Sequence, residues 1–116
     1  MAENLLAPSW LKAPEDLNAF AEGVWPTSLS RDEEGFALIG SVPVDELAQK
    51  FGTPLYVIDK DEFFKRAEKI KNAFEVAAIA NGTTAKLYYA GKALLTTEVV
   101  RWIDQLGLQL DTSSGG

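Results

Sequence analysis

Residues 85–111, AKLYYAGKALLTTEVVRWIDQLGLQLD, carry the pattern that decides the fold. Ala85 to Ala90 is a short apolar run with two tyrosines, and Leu108 to Asp111 is another run of strand length. Between them Leu95, Val99, Trp102, Ile103 and Leu106 fall at helical spacing, with Thr96 or Thr97 near the start and Gly107 past the end. A strand, a helix and a second strand with short connections form a parallel βαβ unit, whose crossover is right-handed.

The same alternation continues upstream. Leu55-Tyr56-Val57-Ile58 reads as a strand buried on both faces of a parallel sheet. Asp59 or Asp61 then offers an N-cap for a longer helix, with Phe63, Phe64, Ala67, Ile70 and Phe74 on one face and Lys65, Glu68, Lys69 and Glu75 on the other. A turn at Asn81-Gly82 ends it. Val44, Leu47, Ala48 and Phe51 predict a short helix starting near Pro43 and closed by Gly52, and Phe36 to Ile39 reads as a strand before it. About three parallel strands with their helices place the chain in the α/β class, as the start of a closed barrel or of a doubly wound sheet. Three such strands leave an edge uncovered and a core half built, so the pattern is expected to run on past the loop Thr112–Gly116. Residues 1–35 contain Pro8, Pro14 and Pro26 and are expected to be an irregular extension, with Trp10 and Trp25 packing it against other structure.

Composition narrows the chemistry. Eleven basic residues against 17 acidic ones give a net charge of -6, and no basic run is present to neutralise phosphates, so nucleic acid is a poor partner. The chain has no cysteine and no histidine, which excludes disulfides, thiolate catalysis, zinc sites of the usual N/S kind and a histidine base. No metal site is expected. Glu3 stands where a signal peptide needs positive charge, and no apolar stretch approaches the roughly 20 residues of a membrane helix, so a cytoplasmic protein is expected. Asn81-Gly82-Thr83 matches a glycosylation sequon but reads as a turn.

Lys92 follows the C-terminal end of the strand Ala85–Ala90, the rim on which α/β barrels keep their active sites. Counted by two, Lys92, Ala90, Tyr88 and Lys86 share one strand face, and the small Ala90 leaves room beside the lysine for a planar ligand. A lysine so placed can act as an imine-forming nucleophile, although most lysines at strand ends are simply solvated. Two other motifs fail on the same residues. Tyr88 and Lys92 have the Tyr-x-x-x-Lys spacing of short-chain dehydrogenases, but they lack the helix and the upstream glycine-rich loop. A P-loop needs glycine where Lys86 stands and Ser or Thr where Ala93 stands. Asp111 ends the next strand, so the right-handed crossover brings it to the same rim and towards the Lys92 amine. The following Ser113-Ser114-Gly115-Gly116 adds hydroxyls and flexible backbone, or is merely a polar loop.

Three segments in register, Phe51-Gly52-Thr53-Pro54-Leu55-Tyr56-Val57, then Tyr88-Tyr89-Ala90-Gly91-Lys92-Ala93, then Gly107 to Asp111 followed by Ser114-Gly115-Gly116, resemble the front of diaminopimelate decarboxylases, about their opening third. Ornithine and arginine decarboxylases share the Tyr-Ala-x-Lys core, and alanine racemases share the lysine with a different sequence after it. The resemblance implies a (β/α)8 barrel joined to a β domain. Residues 36–42 would give a strand to that β domain and residues 43–116 the first βα units of the barrel. It implies that Lys92 holds pyridoxal 5'-phosphate as an imine, with Ala90 and Asp111 lining the cofactor site. It further implies decarboxylation of an amino acid, foremost meso-diaminopimelate to L-lysine, by a homodimeric enzyme in which this stretch alone does not catalyse. The rival is a non-catalytic binding protein on the same fold, against which Lys92 and Asp111 both stand.

Overall fold

The structure is a computed structural model that describes Pro8, residues 15–16, 18–21 and 23–114. Trp10 and the final Gly115-Gly116 lie outside the described residues. The chain divides into two compact units, residues 1–44 and 45–116.

The first unit is an antiparallel meander of three short strands, β1 (Leu29–Arg31), β2 (Ala37–Ile39) and β3 (Val42–Pro43). Leu29 faces Ile39 across β1 and β2, and Ile39 faces Val42 across β2 and β3. Asp32 builds the first connection: one of its carboxylate oxygens accepts from the amides of Glu34 (3.0 Å) and Phe36 (2.8 Å). The second connection is the two-residue turn Gly40-Ser41, with φ of 54° and 69°, as a type I′ hairpin turn requires. Arg31 ties the loops together by donating to the carbonyls of Asn18 (2.9 Å) and Gly35 (2.7 Å), while its guanidinium lies 4.6 Å from the centre of the Phe20 ring. Trp25 meets Phe20 edge to face.

This corrects two expectations. Residues 1–35 are not irregular throughout, since they contain β1, and the expected strand 36–42 is two strands with a turn between them. No proline stands between Pro26 and Pro43, so every amide of that stretch can donate to a ladder.

The second unit holds α1 (Val44–Phe51), α2 (Lys60–Ala80), β4 (Tyr88–Ala90), α3 (Thr97–Gln105) and β5 (Gln109–Asp111). Asp59 is the N-cap of α2, its carboxylate accepting from the Glu62 amide at 3.1 Å, and Thr96 does the same for α3 through the Val99 amide at 3.2 Å. The two helices also end alike. Past α3, the Gly107 amide donates to Asp104 O (2.9 Å) and the Leu108 amide to Ile103 O (3.0 Å), the paired bonds of a Schellman stop; Gly82 and Thr83 repeat them past α2. Gly107 sits at φ 63°, where a Cβ is strained, so α3 stops there and the chain turns into β5.

β4 and β5 pair in parallel, with Tyr88 opposite Gln109, Tyr89 opposite Leu110 and Ala90 opposite Asp111. The core lies between this pair and the helices: Val99, Trp102, Ile103 and Leu106 are buried, and Phe63, Phe64, Tyr89, Leu108 and Leu110 pack around them. Four rings meet there, with Phe63 5.5 Å from Trp102 and 5.7 Å from Tyr89, and Phe64 6.2 Å from Trp102. Leu95, expected in the apolar stripe of α3, precedes the N-cap and is exposed.

The expected parallel sheet of about three strands is here a pair. Leu55 to Ile58 is apolar enough for a strand, but no described strand pairs with it, and Tyr56 is 96% exposed. A run of that composition becomes a strand only when a ladder partner takes its amides and carbonyls. No helix among the described residues is long and apolar enough to cross a membrane.

Two outcomes are expected. Exposed apolar side chains at Leu55–Ile58, with Phe74, Val76 and Ile79 open on α2, should make this chain self-associate as its concentration rises. Light scattering after size exclusion checks this, and the double substitution Tyr56→Lys with Val57→Lys should shift the chain towards monomer. The Glu98 carboxyl accepts from Arg101 (3.0 Å) and from the Trp102 indole (2.9 Å), and these two bonds hold it below the usual carboxylate range. Its support of the fold is therefore present at neutral pH and lost as acid is added through the folded midpoint. The Trp102 indole N–H resonance should follow that titration, and Glu98→Gln should abolish it.

Candidate functional site

The three residues singled out from the sequence, Ala90, Lys92 and Asp111, gather at one end of the β4–β5 pair. Ala90 is the last residue of β4 and the register partner of Asp111, the last of β5. The Gly91 amide donates to the Asp111 carbonyl at 2.9 Å, carrying the ladder one step beyond β4. A Cβ at position 91 would lie 2.9 Å from that same oxygen, so the backbones approach more closely there than a side chain ordinarily permits.

After Gly91 the chain leaves the sheet. The Ala93 amide donates to the Ala90 carbonyl at 3.0 Å, closing a turn with Gly91 and Lys92 at its corners. Lys92 is therefore not on the strand face shared by Ala90 and Tyr88, as counting by two implies, because the strand alternation ends at Ala90. It stands on a turn at the strand end with an exposed side chain. Asp111 is exposed too, and no ion pair or hydrogen bond joins it to Lys92 among the described residues. The arrangement offers an exposed primary amine, a carboxylate on the neighbouring strand and the small side chain of Ala90 beside them. That donor set suits a planar carbonyl compound approaching the lysine.

Tyr89 was not singled out from the sequence. Its hydroxyl donates to the Leu94 carbonyl at 2.8 Å, across the turn that carries Lys92, while its ring rests on Phe63. The sequence signals were its position in the strand, on the face opposite Tyr88 and Ala90, and its place as the tyrosine of the Tyr-Ala-x-Lys core that carries the resemblance.

Two clefts among the described residues of the second unit lie elsewhere. One of about 240 Å³, lined by Lys71, Phe74, Lys86 and Leu108 among others, opens where the chain enters β4 and β5. A second, of about 460 Å³, lies between α2 and the end of α3, where Lys71 donates to the Leu106 carbonyl at 3.1 Å. Neither includes Ala90, Lys92 or Asp111. Among the described residues no group of three or more His, Cys, Asp or Glu could hold a metal ion.

The amine and carboxylate at one end of a parallel strand pair match the segments that carry the family resemblance. Over most of its length the chain is similar to diaminopimelate decarboxylases. It is 43% identical over 109 residues to the diaminopimelate decarboxylase of Mycobacterium leprae, covering 94% of this chain and 22% of the relative. Identity is 44% over 101 residues with that of Mycobacterium bovis (87% and 21%), and 37% over 103 residues with that of Corynebacterium efficiens (89% and 21%). No family model matches the chain. The chain spans about a fifth of the length of the curated diaminopimelate decarboxylases it matches, a smaller share than the opening third expected from the motifs.

Proposed function

We propose that this chain belongs to a pyridoxal-phosphate-dependent enzyme that decarboxylates meso-diaminopimelate to L-lysine, and that Lys92 is the residue that bonds the cofactor. The observation that carries the reading is the meeting of Ala90, Lys92 and Asp111 at the C-terminal ends of β4 and β5, in a chain similar to diaminopimelate decarboxylases. The names of those relatives favour diaminopimelate over ornithine or arginine. In the same reading β4 and β5 are neighbouring strands of a (β/α)8 barrel, the meander β1–β3 belongs to a separate β domain, and the complete enzyme is a cytoplasmic homodimer.

When bound, the cofactor supplies an electron sink for the pair left behind as carbon dioxide departs from the substrate's α-carbon. This chain contributes the rest locally. Lys92 Nζ would hold the cofactor through its amine and, when not bonded to it, would hold or deliver a proton. Ala90 keeps the space beside the amine open to a flat ring. Asp111 places negative charge at the same strand ends, where it draws a cationic partner towards Lys92.

In the complete enzyme carrying this segment, Lys92→Ala should remove the visible absorption of the bound cofactor and lower carbon dioxide release by more than about a hundredfold, with far-ultraviolet circular dichroism unchanged. A persisting visible band means that another lysine holds the cofactor. Faster release from ornithine or arginine than from meso-diaminopimelate overturns the substrate.

A further inference from the structure

The turn that presents Lys92 is fastened on three sides. Gly91 N is bonded to Asp111 O at 2.9 Å, and Ala93 N to Ala90 O at 3.0 Å. The third bond is the only one made by a side chain: Tyr89 Oη donates to Leu94 O at 2.8 Å. Strand alternation turns Tyr89 away from Ala90 and towards the helices, where its half-buried ring lies 5.7 Å from Phe63, itself 5.5 Å from Trp102. An aromatic ring in a packed cluster has few rotamers left, so its hydroxyl is a fixed point. Leu94 and Leu95 beyond the turn are 39% and 42% exposed, and only Leu95 reaches back over Gly91, so side-chain packing on the turn itself is partial.

We propose that Tyr89 is a positioning residue for Lys92. Its ring is anchored in the Phe63–Trp102 core, and its hydroxyl pins the exit of the Lys92 turn, so the direction of the amine is set by the helix layer. This deepens the reading of Lys92 as the cofactor lysine and rests on it. Tyr89 acts through the turn and need not touch cofactor or substrate.

The test uses the complete enzyme carrying this segment, as wild type, as Tyr89→Phe and as Tyr88→Phe, the last removing a hydroxyl from the opposite face of β4. Tyr89→Phe keeps the ring on Phe63, so its melting temperature should stay close to wild type. Amide hydrogen exchange in residues 91–95 should quicken roughly three- to tenfold, the worth of one hydrogen bond, and the dissociation constant for pyridoxal phosphate, read by absorbance titration, should rise by a similar factor. Tyr88→Phe should change neither. Placing p-aminophenylalanine at position 89, which restores a donor, should bring both values back. Unchanged exchange in residues 91–95 overturns the proposal, and that readout does not depend on whether Lys92 holds the cofactor. Faster exchange with unchanged cofactor binding overturns it as well, as does a Tyr89→Phe protein that no longer folds. A Lys92→Ala enzyme that keeps its visible band tells instead against the cofactor lysine.

Discussion

Two strands that run the same way cannot be joined by a tight turn, and the second unit depends on how the chain meets that constraint. The crossover from β4 to β5 needs an element that climbs back over the sheet and buries one face on it. Here α3 does so with Val99, Trp102 and Ile103, and α2 lays Phe63 and Phe64 against the same cluster. The Schellman stop at Gly107 decides where the return ends, and so which residue of β5 stands opposite Ala90. Were α3 one residue longer, Asp111 would no longer face Ala90 and its side chain would point through the other side of the sheet.

The candidate site inherits its geometry from this crossover. Three-residue strands contribute few ladder bonds, and the Lys92 and Asp111 side chains are exposed, so local burial does not fix them. Position comes from backbone bonds at the strand ends and from the helix layer behind, reached through Tyr89. A reactive amine can stand in solvent and still be aimed, provided that something packed holds the turn beneath it.

Much of this was legible in the sequence, because the signals were local. Asp59 or Asp61, Thr96 or Thr97, Asn81-Gly82 and Gly107 mark helix ends through bonds within a few residues of themselves, and in the structure Asp59 and Thr96 cap the starts while Gly82 and Gly107 serve the ends. The parallel pair followed from short connections and the handedness of crossovers. Pairing between distant segments was less legible. Leu55–Ile58 has the composition of a buried strand, but composition does not name a partner. The hairpin at Leu29–Pro43 was obscured by the prolines around it, although the turns at Asp32 and Gly40-Ser41 are made of residues suited to them. Lys92 was assigned the right strand end and the wrong backbone state, since alternation says nothing about where a ladder stops. The role of Tyr89 depends on a contact with Leu94 across a turn, which no periodicity encodes.

The contiguity of β4, α3 and β5 has a consequence for the order of events as the chain acquires its structure. Every bond that brings Ala90, Lys92 and Asp111 together joins residues within the stretch 87–111, so closing this element costs little loop entropy. Such short-range assemblies form quickly, and the rings of α2 are synthesised first and wait upstream. The amine and the carboxylate are thus brought to one end of the sheet early, before strands from more distant sequence need to find their partners.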